Sequence, residues 1–413
     1  MPDLLSRRLT FWVVAALIAL LFAITNLPWQ LDDYDQAKQA FTSFEMINQG
    51  HWLYQHTPDN KIATKPPLVG WFSAACYAIG RSWEVAWRLP SLVAAFSLLI
   101  LLTRAATEAY GATAGFIAMS AFGLNLLSPR LATLVRTDMP LALIIFLLGL
   151  VIWRKVRAAE PWQPRDRVVM FALLTASMLI KGPIVYAFLL PGIVVFQWRN
   201  RSAERKANAW CGWWPWIASV AIFLAWVAGG IAAQPKFYEQ VVLEEFAARF
   251  GETVHRPRPF YFYFPHLLHK FAPWSVLGLA LGIVAWRSEK LALGERWRRL
   301  SPETTWLVCW SLGGLIVMSL IPSKRVDRIF PIVPPLCLLV AAQVSRAWNS
   351  ETLGLRVRRW CGIALVVASI FASTYSAHKI ITGFRADRGA LARFGRAVRA
   401  EAAARGWRYE VVG

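Results

Sequence analysis

Apolar segments recur along most of the 413 residues, roughly at 11–29, 67–80, 88–105, 111–128, 137–153, 168–180, 183–198, 213–232, 266–287, 304–321, 328–345 and 360–378. A chain that repeats such stretches cannot fold around one water-facing surface. In a bilayer every backbone polar group must be satisfied internally, which leaves only helices and closed barrels. These segments are continuously apolar and do not alternate, so they read as helices. With 57% hydrophobic residues and a mean hydropathy of +0.42, the fold class is an all-α polytopic membrane protein, and a large soluble core is excluded.

The net charge of +21 resembles a nucleic-acid signal, but its distribution argues otherwise. The positive residues are spread over short loops between spans, as orientation rules and anionic headgroups require. No nucleic-acid partner is expected. The 22 Trp residues fit interfacial belts, with Trp210, Trp213, Trp214 and Trp216 grouped at one span entrance. Cys76, Cys211, Cys309, Cys337 and Cys361 show no metal-ligand spacing and read as buried thiols. The first apolar run, from Phe11 to about Pro28, reads as an uncleaved span, because no small-residue cleavage pattern follows it.

Basic loops orient the spans. Arg7 and Arg8 put the amino terminus inside, and so do the positive clusters in 154–167, 199–212, 287–303 and 346–359 for those loops. Twelve crossings break this parity, and eleven restore it. The segment that does not cross is 67–80, which begins at Pro66-Pro67 and reaches only about 21 Å against a ~30 Å hydrocarbon core. It is expected to be an interfacial or re-entrant helix on the outer face. The expected bundle therefore has about eleven transmembrane helices over 1–378, with a carboxyl-terminal tail, 379–413, outside. In the tail, Asp387–Arg405 reads as an amphipathic helix and Arg408–Gly413 as the start of a small α/β unit.

The functional argument follows from this topology. Asp32, Asp33, Asp35, Lys65, Asp138, Lys181, His255, Lys324 and Arg325 all fall on the outer side, although only inside loops fixed the orientation. Charge this close to hydrocarbon is expensive and marks a substrate path or active site. In the first outer loop Ala37, Ala40, Phe41, Phe44 and Ile47 recur at helical spacing, and Gly50 ends a surface helix over about 35–48. The loop 233–265 has a similar helical stretch near 237–250, followed by His255, Arg256 and an aromatic run from Phe260 to Phe264.

Several stations resemble one family. Glu45-Met-Ile-Asn-Gln-Gly-His-Trp52 with Ala63-Thr-Lys-Pro-Pro-Leu-Val-Gly-Trp71 is similar to the first outer loop of GT-C membrane glycosyltransferases. The branch is that of the bacterial aminoarabinose (lipid A) transferases and the dolichyl-phosphate-mannose protein mannosyltransferases. Trp87-Arg-Leu-Pro-Ser91, Arg136-Thr-Asp-Met-Pro140, Lys181-Gly-Pro183, Arg258–Pro265 and Ser323-Lys324 through Phe330-Pro331 follow in the family's order, so the likeness extends to about residue 345. It implies transfer of a sugar from a polyprenyl-phosphate donor to a lipid A, glycan or protein acceptor, at the outer face of a bacterial inner membrane. It makes Asp35 the candidate base, with Asp33 or Asp32 as substitutes, since Gln36 departs from the family's Asp-Glu-Ala pattern. Some relatives bind zinc through a Glu placed before the Lys-Pro pair. Thr64 stands there in this chain, although His255 remains as a match to the loop histidine those relatives also use, so no metal ligand is assigned and a divalent metal stays open beside the expectation of no cofactor.

Each candidate has a plainer alternative. Asp35 at a helix start can be an N-cap. Lys65, a candidate ligand for the donor phosphate, can be a snorkelling interfacial lysine. Lys181 sits between two apolar segments where a charge needs a partner. Lys324 and Arg325 can bind the donor phosphate or headgroups. Arg88 is a further phosphate candidate or a structural partner of Asp138, and His255 and Arg256 can contact sugar or remain solvated. The expected chemistry is an inverting transfer with positive charge at the leaving phosphate. The competing classes are a transporter or flippase of polyprenyl-linked sugars, which needs the cations but no base, and a non-catalytic membrane subunit.

Overall fold

The computed structural model describes residues 8–31, 33–200, 207–246, 257–288, 293–387 and 389–407. Among these, helix dominates. The amino-terminal helices are α1 (Arg8–Ile24), α2 (Tyr34–Gln49), α3 (Leu68–Gly80), α4 (Trp83–Ala86), α5 (Leu89–Tyr110), α6 (Ala112–Gly123) and α7 (Ser128–Ala132). Then come α8 (Asp138–Ala158), α9 (Pro164–Lys181), α10 (Ile184–Arg199), α11 (Trp214–Ala233), α12 (Tyr263–Lys270), α13 (Trp274–Ser288) and α14 (Leu293–Arg299). The last are α15 (Pro302–Leu320), α16 (Val333–Trp348), α17 (Gly354–Arg385) and α18 (Ala390–Arg405). A π-helix covers Tyr238–Phe246 and a 3₁₀ segment covers Val326–Ile332.

Among the described residues, six stretches are long and apolar enough to cross a membrane: Leu89–Tyr110, Asp138–Ala158, Trp214–Ala233, Pro302–Leu320, Val326–Trp348 and Gly354–Arg385. A seventh exists if Phe260–Lys270 and Trp274–Arg287, which meet at 103°, form one broken span. The expected 266–287 span is thus two helices, and the break carries Pro273, which removes a backbone donor. Helices α1, α3, α6 and α10 are apolar but shorter. At 13 residues α3 reaches about 20 Å, the length expected of a segment that does not cross.

Local chemistry sets the helix ends. Asp33 accepts the Gln36 backbone N–H and caps α2, and Gly50 closes it at φ 75°. Gln163 and Asp166 form a reciprocal capping box on α9. Ser301 caps α15, with Pro302 in its first turn. Helices α10 and α15 approach closely because Gly192 faces Gly313. A Cβ on Gly192 would lie 2.8 Å from the Cys309 carbonyl oxygen, and one on Gly313 would lie 2.7 Å from the Gly192 nitrogen. Small residues permit this backbone contact where no hydrophobic effect drives helices together.

The tryptophans divide into two sets. Of the four expected at one span entrance, Trp213 and Trp214 are exposed, as a belt requires, but Trp210 is half-buried and Trp216 is buried, and Trp153, Trp274, Trp306 and Trp310 are fully buried in the core. The thiols Cys211, Cys309, Cys337 and Cys361 are buried and Cys76 is half-buried, all free. In the tail α18 matches the expected amphipathic helix in extent. The suggested strand at 408–413 lies outside the described residues.

Candidate active site

Five elements end around one polar cavity. It is lined by Asp35 and Lys38 of α2, Thr64 and Lys65 before α3, and Arg136, Thr137 and Asp138 at the start of α8. Lys181 at the end of α9 and Arg325, Asp327 and Arg328 around the 3₁₀ segment complete it. The cavity measures about 160 Å³, far beyond the 10–15 Å³ that one water needs. Of its charged residues six are cationic and three anionic, so the space favours an anionic ligand. Asp35, Lys65, Asp138, Lys181 and Arg325, widely separated in sequence, are brought together here.

Pairing differs among these groups. The Arg325 guanidinium donates to the Asp35 carboxylate. The Lys181 ammonium donates to Asp138 Oδ1 at 2.5 Å. Lys38 donates to Thr64 Oγ1 at 3.4 Å, and Arg328 donates to the Ser323 carbonyl at 2.8 Å. Lys65 makes no hydrogen bond to the described residues. Burial and the neighbouring Lys181 charge push its ammonium down to about 8, against the pull of Asp35 and Asp138. Burial alone would raise the Asp35 carboxyl, but Lys65, Arg325 and Arg136 outweigh it and hold it below the ordinary carboxylate range. At neutral pH the cavity therefore holds an ionised Asp35 beside a largely protonated, unengaged lysine.

Behind the cavity lies an ion-pair frame. Arg136 donates through Nη1 to Asp327 Oδ2 at 2.7 Å and through Nη2 to Asp33 Oδ2 at 2.7 Å. Arg130 adds a bond to Asp327 Oδ1 at 3.1 Å. Asp33 thus performs the N-cap role that the sequence left open for Asp35, and it does not line the cavity. Removing one member of such a partly buried network leaves an uncompensated charge, at about 3–5 kcal/mol.

Other candidates stand apart. The expected Arg88–Asp138 pairing is not formed. Arg88 donates to the Glu84 and Trp29 carbonyls and stacks its guanidinium 5.5 Å over Trp29, while Asp138 is held by Lys181. Helices α8 and α9 form a hairpin that delivers Lys181 to Asp138, which is why the partner comes from there. Lys324 points away from the cavity and donates to the Arg258 carbonyl at 3.0 Å, pinning the segment after Pro257 to the 322–325 loop. Asp32, His255 and Arg256 lie outside the described residues.

Arg136, Asp327, Arg328 and Lys38 were not among the sequence candidates. A signal existed for two of them. Lys38 is three residues after Asp35, hence on the same helical face. Arg328 is three residues after Arg325, hence on the same face of a 3₁₀ helix.

Residues 64–229 match the family described as dolichyl-phosphate-mannose-protein mannosyltransferase. The undecaprenyl phosphate-alpha-4-amino-4-deoxy-L-arabinose arabinosyl transferase of Shewanella sediminis is 24% identical over 357 residues, covering 83% of this chain and 62% of the relative. A Proteus mirabilis protein of the same description is 25% identical over 382 residues, covering 87% and 64%. The chain thus spans somewhat under two thirds of the length of these curated relatives. Among solved structures, ArnT from Cupriavidus metallidurans bound to undecaprenyl phosphate superposes with a TM-score of 0.66 at 19% identity, covering 90% of this chain and 69% of that one. The Archaeoglobus fulgidus oligosaccharyltransferase superposes with a TM-score of 0.54 at 12% identity, covering 90% and 56%. The fold is shared with these two solved structures, and the sequence resembles these arabinosyl transferases over most of its length.

Proposed function

We propose that the chain is an inverting membrane glycosyltransferase that takes a sugar from a polyprenyl-phosphate donor and passes it to an acceptor hydroxyl or phosphate. One observation carries this reading: a cavity with an excess of cations surrounds an ionised carboxylate and a lysine with no hydrogen-bond partner among the described residues. Cations at a leaving phosphate stabilise the charge that develops there. The donor is undecaprenyl phosphate-linked, as in the proteins of similar sequence, and the acceptor is lipid A, another glycan or a protein. The cavity faces the outer side of a bacterial inner membrane, with the amino terminus inside.

In the reaction the acceptor oxygen attacks the anomeric carbon from the face opposite the phosphate. The bond from that carbon to the phosphate oxygen breaks, and its electron pair leaves with the polyprenyl phosphate. Lys65 receives the phosphate, with Lys181, Arg325 and Arg328 within the same cavity. Asp35 takes the proton of a hydroxyl acceptor. Its low basicity suffices because the hydroxyl becomes acidic only as the new bond forms. A phosphate acceptor has no such proton to lose. An apolar groove of about 560 Å³, lined by Phe264, Leu268, Trp274, Leu279, Leu315 and Leu336, offers room for a prenyl chain.

Asp35→Asn tests the reading. Sugar transfer should fall by roughly 10²-fold or more, while undecaprenyl phosphate still binds. Unchanged transfer would remove Asp35 as the base. Retained sugar-lipid movement across vesicles without any product would favour a flippase.

A further inference from the structure

A second cluster of chemistry-bearing side chains gathers at the carboxyl-terminal end of α2 and in the segment that follows it, away from the cavity. Glu45, His51 and His56 place their ligand atoms within 4.8 Å of one another. Glu45 Oε1 is 2.8 Å from His51 Nδ1 and 2.7 Å from His56 Nδ1. Its other oxygen accepts the His56 backbone N–H. The Glu45 side chain is 2% exposed, whereas His51 and His56 are 43% and 21% exposed. The trio therefore has a buried anionic base and an open side.

We infer that Glu45, His51 and His56 form a binding site for a first-row transition metal ion, with zinc the best match, separate from the sugar-transfer cavity. Two nitrogens and one carboxylate oxygen suit such an ion better than magnesium or calcium, which take oxygen ligands. Ligand atoms about 2.0–2.2 Å from a tetrahedral zinc stand roughly 3.3 Å apart. The present separations are shorter on the carboxylate side, so loading opens the trio by about half an ångström, a shift the exposed rings accommodate. Both rings now share one carboxylate oxygen through Nδ1. Binding the metal there requires each neutral ring to carry its proton on Nε2 instead, a change of tautomer without net proton loss. Water from the exposed side completes the coordination.

The backbone around the trio is already ordered for this. The His56 amide holds the second carboxylate oxygen, and Gln55 Nε2 donates to the His51 carbonyl at 2.8 Å, contacts of the kind that orient metal ligands. His56 also pairs with Ile62 across a tight hairpin, closed by Thr57 N–H to the Lys61 carbonyl at 2.7 Å and Ala63 N–H to the Gln55 carbonyl at 2.8 Å. That hairpin leads directly to Thr64 and Lys65. The metal would fasten the last turn of α2 to the segment that carries Lys65, while sitting ten residues past Asp35, roughly 15 Å along the helix.

The experiment uses the full chain purified in detergent without a histidine tag and stripped with chelator. Zinc chloride is titrated by calorimetry, and cobalt(II) chloride is added separately and followed by visible absorption. Wild type should bind about one zinc per chain and give the visible bands of tetrahedral cobalt, and His51→Ala should weaken zinc binding by roughly 100-fold. His51 is exposed enough for this variant to keep its fold, and Glu45→Gln provides a second test. Zinc should also slow amide exchange over 51–63 in wild type and leave it unchanged in His51→Ala. Negligible zinc uptake by wild type, or equal uptake by wild type and both variants, overturns the inference. None of these readouts depends on sugar transfer.

Discussion

At the scale of the residue, the cavity depends on the difference between two lysines. Lys181 is neutralised by Asp138, whereas Lys65 faces open space and is acidified by burial and by Lys181. A lysine pushed down to about 8 is charged below that pH and neutral above it. On the proposed function, its contribution to binding the donor phosphate is therefore present at neutral pH and lost as pH rises through 8. The free-enzyme profile of kcat/KM should show an alkaline limb near pH 8, and Lys65→Arg, which keeps its charge, should move that limb upward by more than one pH unit. A limb unmoved by Lys65→Arg would assign the titration to another group. Five of the nine charged residues that line the cavity were legible from charge beside apolar sequence, namely Asp35, Lys65, Asp138, Lys181 and Arg325. What was not legible was pairing. Spacing could not tell that Asp33 caps α2, or that Arg88 would spend its donors on the carbonyls of Glu84 and Trp29.

At the scale of the element, packing is set by what α10 and α15 lack. Gly192 and Gly313 let the two backbones meet, and the atoms a new Cβ would strike are main-chain atoms that cannot rotate away. Gly192→Val should lower thermal stability by about 1–3 kcal/mol or more through overpacking, read as a reduced Tm in detergent, while Gly362→Ala at an open position should not. Helix extents were readable where a single period ran uninterrupted. The surface helix expected over 35–48 is α2 at Tyr34–Gln49, with Gly50 as its stop. Where the backbone leaves the α-helical geometry the pattern misled. The expected helix near 237–250 is described only as far as 246 and is a π-helix. The stretch beginning at 328 runs as a 3₁₀ turn to Ile332 before α16 starts. That tighter turn puts Arg325 and Arg328 on one side, which a reading of 328–345 as uniform helix concealed. Pro273 did signal the elbow between α12 and α13, but the apolar run continues on both sides of it and masks the bend.

At the scale of the whole molecule, charge is gathered at two ends. Helix α8 begins at Asp138 in the cavity and ends beside Arg157, which approaches Glu303 and the Glu108 carbonyl. At that second end Arg199 donates to the Trp297 and Leu300 carbonyls and Arg346 donates to Thr304. The loops that the positive residues assign to the inside thus meet one another, about 31 Å from the cavity along the 21-residue α8. In a background with Cys76 replaced by serine, Lys61→Cys should react with an impermeant maleimide in intact spheroplasts, and Ala158→Cys should react only after permeabilisation. The opposite pattern would invert the orientation. The pairing of Asp35 with Arg325 spans 290 positions. At a synthesis rate of about 5–20 residues per second, the carboxylate waits roughly 15 to 60 seconds in the nascent chain for its guanidinium. Until the ribosome has delivered that late arginine the chamber has an open wall, so on the proposed function a half-made chain lacks one of the cations that would meet the donor phosphate.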